Sequence, residues 1–239
     1  MNKVKLFCLP FAGGNKYSYR EYELNAPPFL QVVPLEYPGR GARMKESFAT
    51  NMDLLVDRVY EEMKGRIEDD DYALYGHSMG GIVAFFLAKK LIANNYRPPL
   101  HLFITGTTGP TSKAIIEKKR HLMSKADFIK EIRMLDGCPE EILQNDELLD
   151  FFEPILRADF QVSETYSYTH DAPMDLPVTV ITGTEEDMKQ EDIQLWQKET
   201  TQSVDFRKMP GKHFFILKHP RQIVNIISKK IINIAKVYQ

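Results

Sequence analysis

The sequence predicts an α/β fold: a mostly parallel central sheet flanked by helices, with a helical lid inserted over one edge. Three observations lead there. Short apolar runs alternate with helical periodicities along most of the chain, as strands joined by crossover helices do. One junction reads Gly76-His77-Ser78-Met79-Gly80-Gly81, set between an apolar run and a helical stripe. From Gly109 to about Pro173 the alternation stops and only helical patterns remain.

The elements follow in order. Residues 5–9 read as a buried strand ended by Pro10, with Phe11-Ala12-Gly13-Gly14 as a glycine-rich loop after it. The N-terminus is basic and then apolar, but Pro10 cuts the apolar run, so a first strand is the better reading than a signal peptide. Residues 31–36 form a second apolar run, and Tyr37-Pro38-Gly39-Arg40-Gly41 is a loop by its Pro and Gly content. Residues 51–67 carry Leu54, Leu55, Val59 and Met63 near helical spacing, with Asp53 suited to the positive end of the helix. Tyr72-Ala73-Leu74-Tyr75 is the strand entering the Ser78 turn. Ile82, Val83, Phe85, Phe86, Leu87, Leu91 and Ile92 then form a wide helical stripe. Residues 100–105, 177–181 and 204–209 are three further strands, and 223–237 an amphipathic closing helix. Inside the lid, residues 124–135, 140–143 and 147–156 look helical, and Tyr166 and Tyr168 are placed to pack the lid onto the sheet.

With 239 residues, 43% of them hydrophobic, the chain is expected to form one domain over residues 1–239, with the lid at about 110–173 inside it. A formal net charge of −2 gives no reason to expect a nucleic-acid partner. No apolar run approaches the roughly 20 residues that span a bilayer, so no membrane partner is expected. The acidic run Glu68-Asp69-Asp70-Asp71 reads as a solvated turn. Cys8 and Cys138 sit in no C-x-x-C or zinc spacing, which suggests a reducing cytoplasm. No His/Cys/Asp/Glu cluster has metal spacing, so no metal is expected.

The Ser78 junction is the G-x-S-x-G strand–turn–helix context that presents a nucleophilic serine. A serine hydroxyl needs a base to take its proton, and the base needs a third group to orient it. In this type of fold the order along the chain is Ser, then Asp or Glu, then His, on loops after later strands. His213 follows the strand 204–209 and is the base candidate. His77 points away from Ser78, His101 opens a strand, and His121, His170 and His219 lack a matching placement. After the strand 177–181 comes Thr182-Gly183-Thr184-Glu185-Glu186-Asp187. Asp187 is the expected orienting acid and Glu186 its competitor, one residue of loop deciding between them. The oxyanion of an acyl intermediate needs preorganised N–H donors, expected at Met79 and, from the early glycine loop, at Ala12. That loop lacks both G-x-G-x-x-G spacing and a Walker lysine, which discounts a nucleotide.

Nearly end to end, the chain resembles the type II (editing) thioesterases of nonribosomal peptide and polyketide synthesis, within the α/β-hydrolases. The segments that carry the resemblance run along the whole chain. They are residues 6–14 (Leu-Phe-Cys-Leu-Pro-Phe-Ala-Gly-Gly), 35–43 (Leu-Glu-Tyr-Pro-Gly-Arg-Gly-Ala-Arg) and 75–81 (Tyr-Gly-His-Ser-Met-Gly-Gly). Residues 151–160 (Phe-Phe-Glu-Pro-Ile-Leu-Arg-Ala-Asp-Phe), 164–166 (Glu-Thr-Tyr) and 211–215 (Gly-Lys-His-Phe-Phe) complete the set. The acid loop departs from the family's Gly-Gly-x-x-Asp, which leaves its register open. The resemblance implies hydrolysis of wrong or stalled acyl thioesters from the 4′-phosphopantetheine arm of acyl or peptidyl carrier domains, through an acyl-Ser78 intermediate. It implies no cofactor of the chain's own. A monomer is expected. Carrier domains are typically acidic, so Lys113, Lys118, Lys119 and Arg120, at the start of the lid, are the expected docking patch. Arg40 and Arg43 serve either recognition or the tying of their loop to the body, the structural role being the expected one. The rival readings are a small-ester carboxylesterase, a chain-releasing acyl-carrier thioesterase and a non-catalytic carrier-binding protein.

Overall fold

The computed structural model describes residues 3–67, 70–113, 118–135 and 140–237. Cys138, Glu68 and Asp69 lie outside them. In chain order the elements are β1 (Val4–Leu9), α1 (Arg20–Asn25), β2 (Leu30–Pro34), α2 (Met52–Lys64), β3 (Tyr72–His77) and α3 (Met79–Ala93). Next come β4 (Leu102–Thr105), α4 (Lys125–Leu135), α5 (Glu140–Leu143), α6 (Asp146–Thr165) and β5 (Val178–Gly183). The chain closes with α7 (Gln190–Gln194), β6 (Asp205–Met209), α8 (Phe215–Lys218) and α9 (Pro220–Val237).

The strands form one sheet in the order β2-β1-β3-β4-β5-β6, and every pairing is parallel. A parallel sheet is covered on both faces, so its strands are apolar throughout rather than alternating. All residues of β3, β4 and β5 are buried. The pleat sends alternate side chains to opposite faces. Phe7, Leu9, Leu74, Leu102, Ile104, Val178 and Val180 pack with α2 and α3 on one face. Leu6, Cys8, Ala73, Tyr75, Phe103 and Ile181 pack with α1, α8 and α9 on the other. Cys8 is wholly buried, and that burial, with the Glu23 charge second, pushes its thiol well above its ordinary range.

The strand order reverses between β1 and β3. The chain leaves β1 outward to β2 and returns to β3 on the other side. The loops after β1 and β3 therefore diverge, and a crevice opens at their carboxyl ends, where α/β sheets bind ligands.

Helices α4, α5 and α6, in the segment expected to form the lid, share a cluster of Phe128, Ile132, Leu143, Leu149 and Leu156. The sequence suggests a helix over 147–156, but α6 continues to Thr165, through Pro154. Proline removes one backbone donor inside a helix and crowds the preceding turn. Here buried contacts on both sides of Pro154 hold the helix: Leu149 before it, and Ile155, Leu156 and Val162 after it. Asn145 caps its start, its side chain accepting the Leu148 N–H. The far end of α6 leaves the lid cluster, and Val162 joins the main core. Tyr166 and Tyr168 pack on Phe86 and Phe85 of α3, so the lid base rests on that helix rather than directly on the sheet. Among the described residues no helix is long and apolar enough to cross a membrane.

Candidate functional site

Ser78 stands between β3 and α3 with φ +53° and ψ −122°. A non-glycine residue in that region is strained and persists only where its surroundings fix it. The fixing is backbone on backbone. A Cβ at Gly76 would lie 2.1 Å from the Gly80 carbonyl oxygen, and one at Gly80 would lie 2.3 Å from that of Leu9. Only glycine at both positions lets the turn close against itself and against β1. Ser78 N–H donates to Thr105 O at 2.8 Å, which ties the turn to β4.

A buried polar chain lies beneath the turn. Tyr22 and Tyr75 share a hydroxyl hydrogen bond at 2.9 Å, and Tyr75 OH meets Thr105 Oγ1 at 3.1 Å. Thr105 Oγ1 also meets His77 Nδ1 at 3.1 Å. Burial, and then the neighbouring His213, hold His77 well below the ordinary histidine range, so its ring is neutral.

The base loop after β6 and the acid loop after β5 dock through their backbones. Thr184 N–H donates to Met209 O at 2.8 Å and Glu185 N–H to Gly211 O at 3.0 Å. A Cβ at Gly183 would lie 2.4 Å from the Gly211 carbonyl oxygen. His213 projects from this junction. Its ring lies against His77, centroids 4.7 Å apart, directly before Ser78 in the chain. Phe214 packs edge-on to it at 5.0 Å.

The expectation for the orienting acid is corrected. His213 Nδ1 is bonded at 2.6 Å to Glu186 Oε1, not to Asp187. The second Glu186 oxygen accepts the Gly183 N–H at 2.6 Å, and the Glu186 side chain is 3% exposed. Asp187 is exposed. The physical cause is reach. The loop turns back on Gly183 within three residues, and the longer glutamate side chain folds inward there, while position 187 has already left the junction. With Nδ1 held by a carboxylate, Nε2 is the ring nitrogen left for Ser78.

Both expected oxyanion donors sit at the switch crevice, after β1 and at the start of α3. Gly13 N–H is committed to Asp159 Oδ2 at 2.8 Å and Gly14 N–H to Phe11 O at 2.8 Å. Among the described residues, the Ala12 and Met79 N–H groups have no acceptor within the chain. The first N–H groups of a helix such as α3 have no partner inside it and attract negative charge.

Arg40 and Asp159 form a buried bidentate pair, both contacts 2.6 Å, with side chains 5% and 4% exposed. Arg43 bonds Glu46, Glu62 and Glu36 O, closing its own loop against α2. Arg43 ties its loop to the body, as expected, whereas Arg40 ties the same loop to lid helix α6. Asp159 was not legible as the partner, because the pair joins positions 119 residues apart.

The lysine-rich start of the lid is partly neutralised. Lys118 and Arg120 both pair with Glu131, and Arg120 also reaches the buried Glu164. Glu164 accepts from His121 Nδ1 at 2.7 Å and His121 N–H at 3.2 Å. Lys113 and Lys119 are exposed. Among the described residues no group of side chains is arranged to hold a metal ion.

Residues 4–231 match the thioesterase domain family. Gramicidin S biosynthesis protein GrsT of Aneurinibacillus migulanus is 32% identical over 96% of this chain and 89% of its own. The solved structure of ClbQ, from the colibactin NRPS/PKS pathway, superposes with a TM-score of 0.93 at 29% identity, covering 99% of this chain and all of that one. YbtT, a type II thioesterase from the yersiniabactin NRPS/PKS pathway, superposes with a TM-score of 0.87 at 26% identity, over 98% and 94% of the two chains.

Proposed function

The chain belongs to the thioesterase family, and from that premise we propose that it clears aberrant or stalled acyl groups from carrier domains of a nonribosomal peptide or polyketide synthase. The thioester is carried on the partner's 4′-phosphopantetheine arm, so the enzyme brings no cofactor of its own. The observation that carries the reading is the Glu186–His213 pair lying against the strained turn of Ser78.

In the proposed reaction Ser78 Oγ attacks the thioester carbonyl carbon as its proton passes to His213 Nε2. The oxyanion accepts hydrogen bonds from the Ala12 and Met79 N–H groups. The C–S bond then breaks, the leaving sulfur takes the proton from His213, and acyl-Ser78 remains. Water gives a proton to His213 and attacks the ester carbonyl. The acid leaves, and Oγ recovers its proton. Glu186 keeps Nδ1 protonated and stabilises the imidazolium in both halves. Among the described residues Ser78 Oγ makes no hydrogen bond to His213, and catalytic hydrogen bonds of this kind often tighten only in the Michaelis complex.

The enzyme acts as a monomer in the reducing cytoplasm. Lys113, Lys118, Lys119 and Arg120 face the acidic carrier, the three lysines exposed and Arg120 half-buried. Replacing all four by alanine raises KM for acyl-carrier substrate and leaves hydrolysis of acyl-pantetheine unchanged. Equal effects on both substrates would remove these residues from docking.

The decisive experiment follows loss of acyl mass from an acylated carrier protein by intact-protein mass spectrometry. Wild type deacylates the carrier, while Ser78→Ala and His213→Ala lose on the order of 10³-fold or more in rate. Cleavage of simple esters without carrier deacylation would make the protein a carboxylesterase. Carrier binding without hydrolysis would make it a non-catalytic partner. Preference for one finished product over short, aberrant acyl groups would make it a chain-releasing enzyme.

A further inference from the structure

We propose that the buried Arg40–Asp159 pair is a positioning device for the oxyanion loop, and that it makes the seating of lid helix α6 a condition for catalysis. The proposal rests on the reading of Ser78 as nucleophile and Ala12 as oxyanion donor.

The loop after β1 is held on both sides of Ala12. Before it, Tyr37 OH donates to Pro10 O at 2.9 Å. After it, Gly13 N–H donates to Asp159 Oδ2 at 2.8 Å, and Arg40 Nη1 donates to Gly14 O at 3.1 Å. Arg40 lies over the Tyr37 ring, 5.4 Å from its centroid, so the anchors form one assembly. Arg40 comes from the loop after β2, and Asp159 from α6 in the lid. Gly13, at φ +77°, faces α6 so closely that an added Cβ would stand 2.5 Å from Leu156 Cδ2, one turn before Asp159. The backbone that presents the Ala12 N–H is thus pressed against the lid helix and bonded to it.

The pair is poorly suited to a purely stabilising role. Taking two charges out of water offsets most of their attraction, and such pairs are often replaceable by apolar residues without loss of stability. Arg40 Nε is itself buried without a partner. The two charges are instead spent on direction. A carboxylate with both oxygens on one guanidinium has a fixed plane, and that plane aims Oδ2 at the Gly13 N–H. Displacement of α6 withdraws Asp159, frees Gly13 and lets the Ala12 donor drift. A donor must stand where charge develops, so drift lowers kcat and leaves ground-state binding alone. Neither side chain touches the acyl group in this scheme; both act through the loop.

The test uses the full chain with acyl-pantetheine, which removes carrier docking from the measurement. Asp159→Asn, Arg40→Lys and the apolar double variant Arg40→Met/Asp159→Leu are compared with wild type and Ser78→Ala. Two probes accompany the kinetics: a trifluoromethyl ketone analogue, which adds to Ser78 and fills the oxyanion hole, and a thioether analogue, which does neither. The expected result is a fall in kcat of roughly 10²-fold with KM little changed. Affinity for the ketone falls by the same factor, and affinity for the thioether holds. The double variant melts close to wild type and is still slow. Wild-type kcat in Asp159→Asn or in the double variant would overturn the proposal. So would equal losses for both analogues accompanied by a lower melting temperature, since that pattern marks a general loss of folded protein. Full activity in Ser78→Ala would instead overturn the thioesterase mechanism on which the proposal rests.

Discussion

All of β3 is buried, and α3 buries Ile82, Val83, Ala84, Phe85, Leu87 and Leu91 against the sheet and its neighbours. The lid's own core is the small cluster of Phe128, Ile132, Leu143, Leu149 and Leu156. Around that cluster the lid carries exposed ion pairs, Lys125–Asp150 at 2.5 Å and Arg133–Glu140 at 2.9 Å among them. Such pairs are screened by salt and stabilise little. The body places Ser78, His213 and Glu186 on loops that meet backbone to backbone, while the lid meets the body through a few groups, Asp159, Val162, Tyr166 and Tyr168. The contrast separates two tasks. Catalytic geometry needs a scaffold that does not yield, whereas a segment with a small core of its own opens at lower cost than global unfolding.

The largest effect that sharpens this contrast lies in the body. Glu186→Gln removes the charge that holds His213 Nδ1, and kcat falls by about 10³- to 10⁴-fold. Asp187→Asn, one residue along and exposed, stays within about twofold of wild type, because only the group that orients the base carries the tautomer effect. Steady-state kinetics on acyl-pantetheine checks both, and a larger loss in Asp187→Asn would show that the loop re-registers when substrate binds.

Next come paired truncations of two phenylalanines that are each 0% exposed. Phe85→Ala empties space in the main core and destabilises by about 3–5 kcal/mol. The global melting temperature should fall accordingly. Phe128→Ala removes the partner of Phe160 and of the Arg157 guanidinium, 4.4 Å from its ring centroid. Its cost falls on the lid. Hydrogen exchange and proteolysis between residues 123 and 165 accelerate, while the strands keep wild-type protection. A single cooperative transition lowered equally by both variants would erase the distinction between lid and body.

The smallest effect concerns acid. Burial holds His101 near a pKa of about 3, with Nε2 on Thr179 Oγ1 at 2.8 Å and its ring stacked on Phe103. The folded state resists a proton that the unfolded chain binds near 6.5. Stability from this site is therefore complete above about pH 6.5 and is lost as pH falls towards 3, at up to roughly 1.4 kcal/mol per pH unit. Urea melts at pH 7 and pH 5 should show the body weakening, and His101→Gln should flatten the slope. An unchanged slope in that variant would assign the acid sensitivity to other groups.

Much of this architecture was legible because its signals are local. Apolar runs gave all six strands, and the glycines around Ser78 gave the turn, since both act within a few residues. Position after a strand led to His213, Ala12 and Met79, which the fold gathers at one sheet edge. The acid was misplaced because two adjacent carboxylates look alike in sequence. The choice between them depends on side-chain reach into a junction with the loop around Gly211, distant in the chain. The length of α6 was missed because the helix expected over 147–156 is carried on to Thr165 by tertiary packing, with Val162 buried in the main core. The ion pairs of Lys118 and Arg120 were not legible for the same reason, since Glu131 and Glu164 lie outside the window in which the cations cluster.

Cys8 lies in β1, two residues before the oxyanion loop begins, in an enzyme surrounded by thioesters and released pantetheine thiols. Acyl groups pass readily from thioester to thiolate, so a reactive cysteine there would compete with water for the cargo. Burial and a thiol held far above its usual pKa keep Cys8 protonated and out of reach. It can neither capture an acyl chain nor form a mixed disulfide with the departing arm. Colorimetric titration of free thiols during turnover therefore counts the pantetheine set free, with no contribution from this strand.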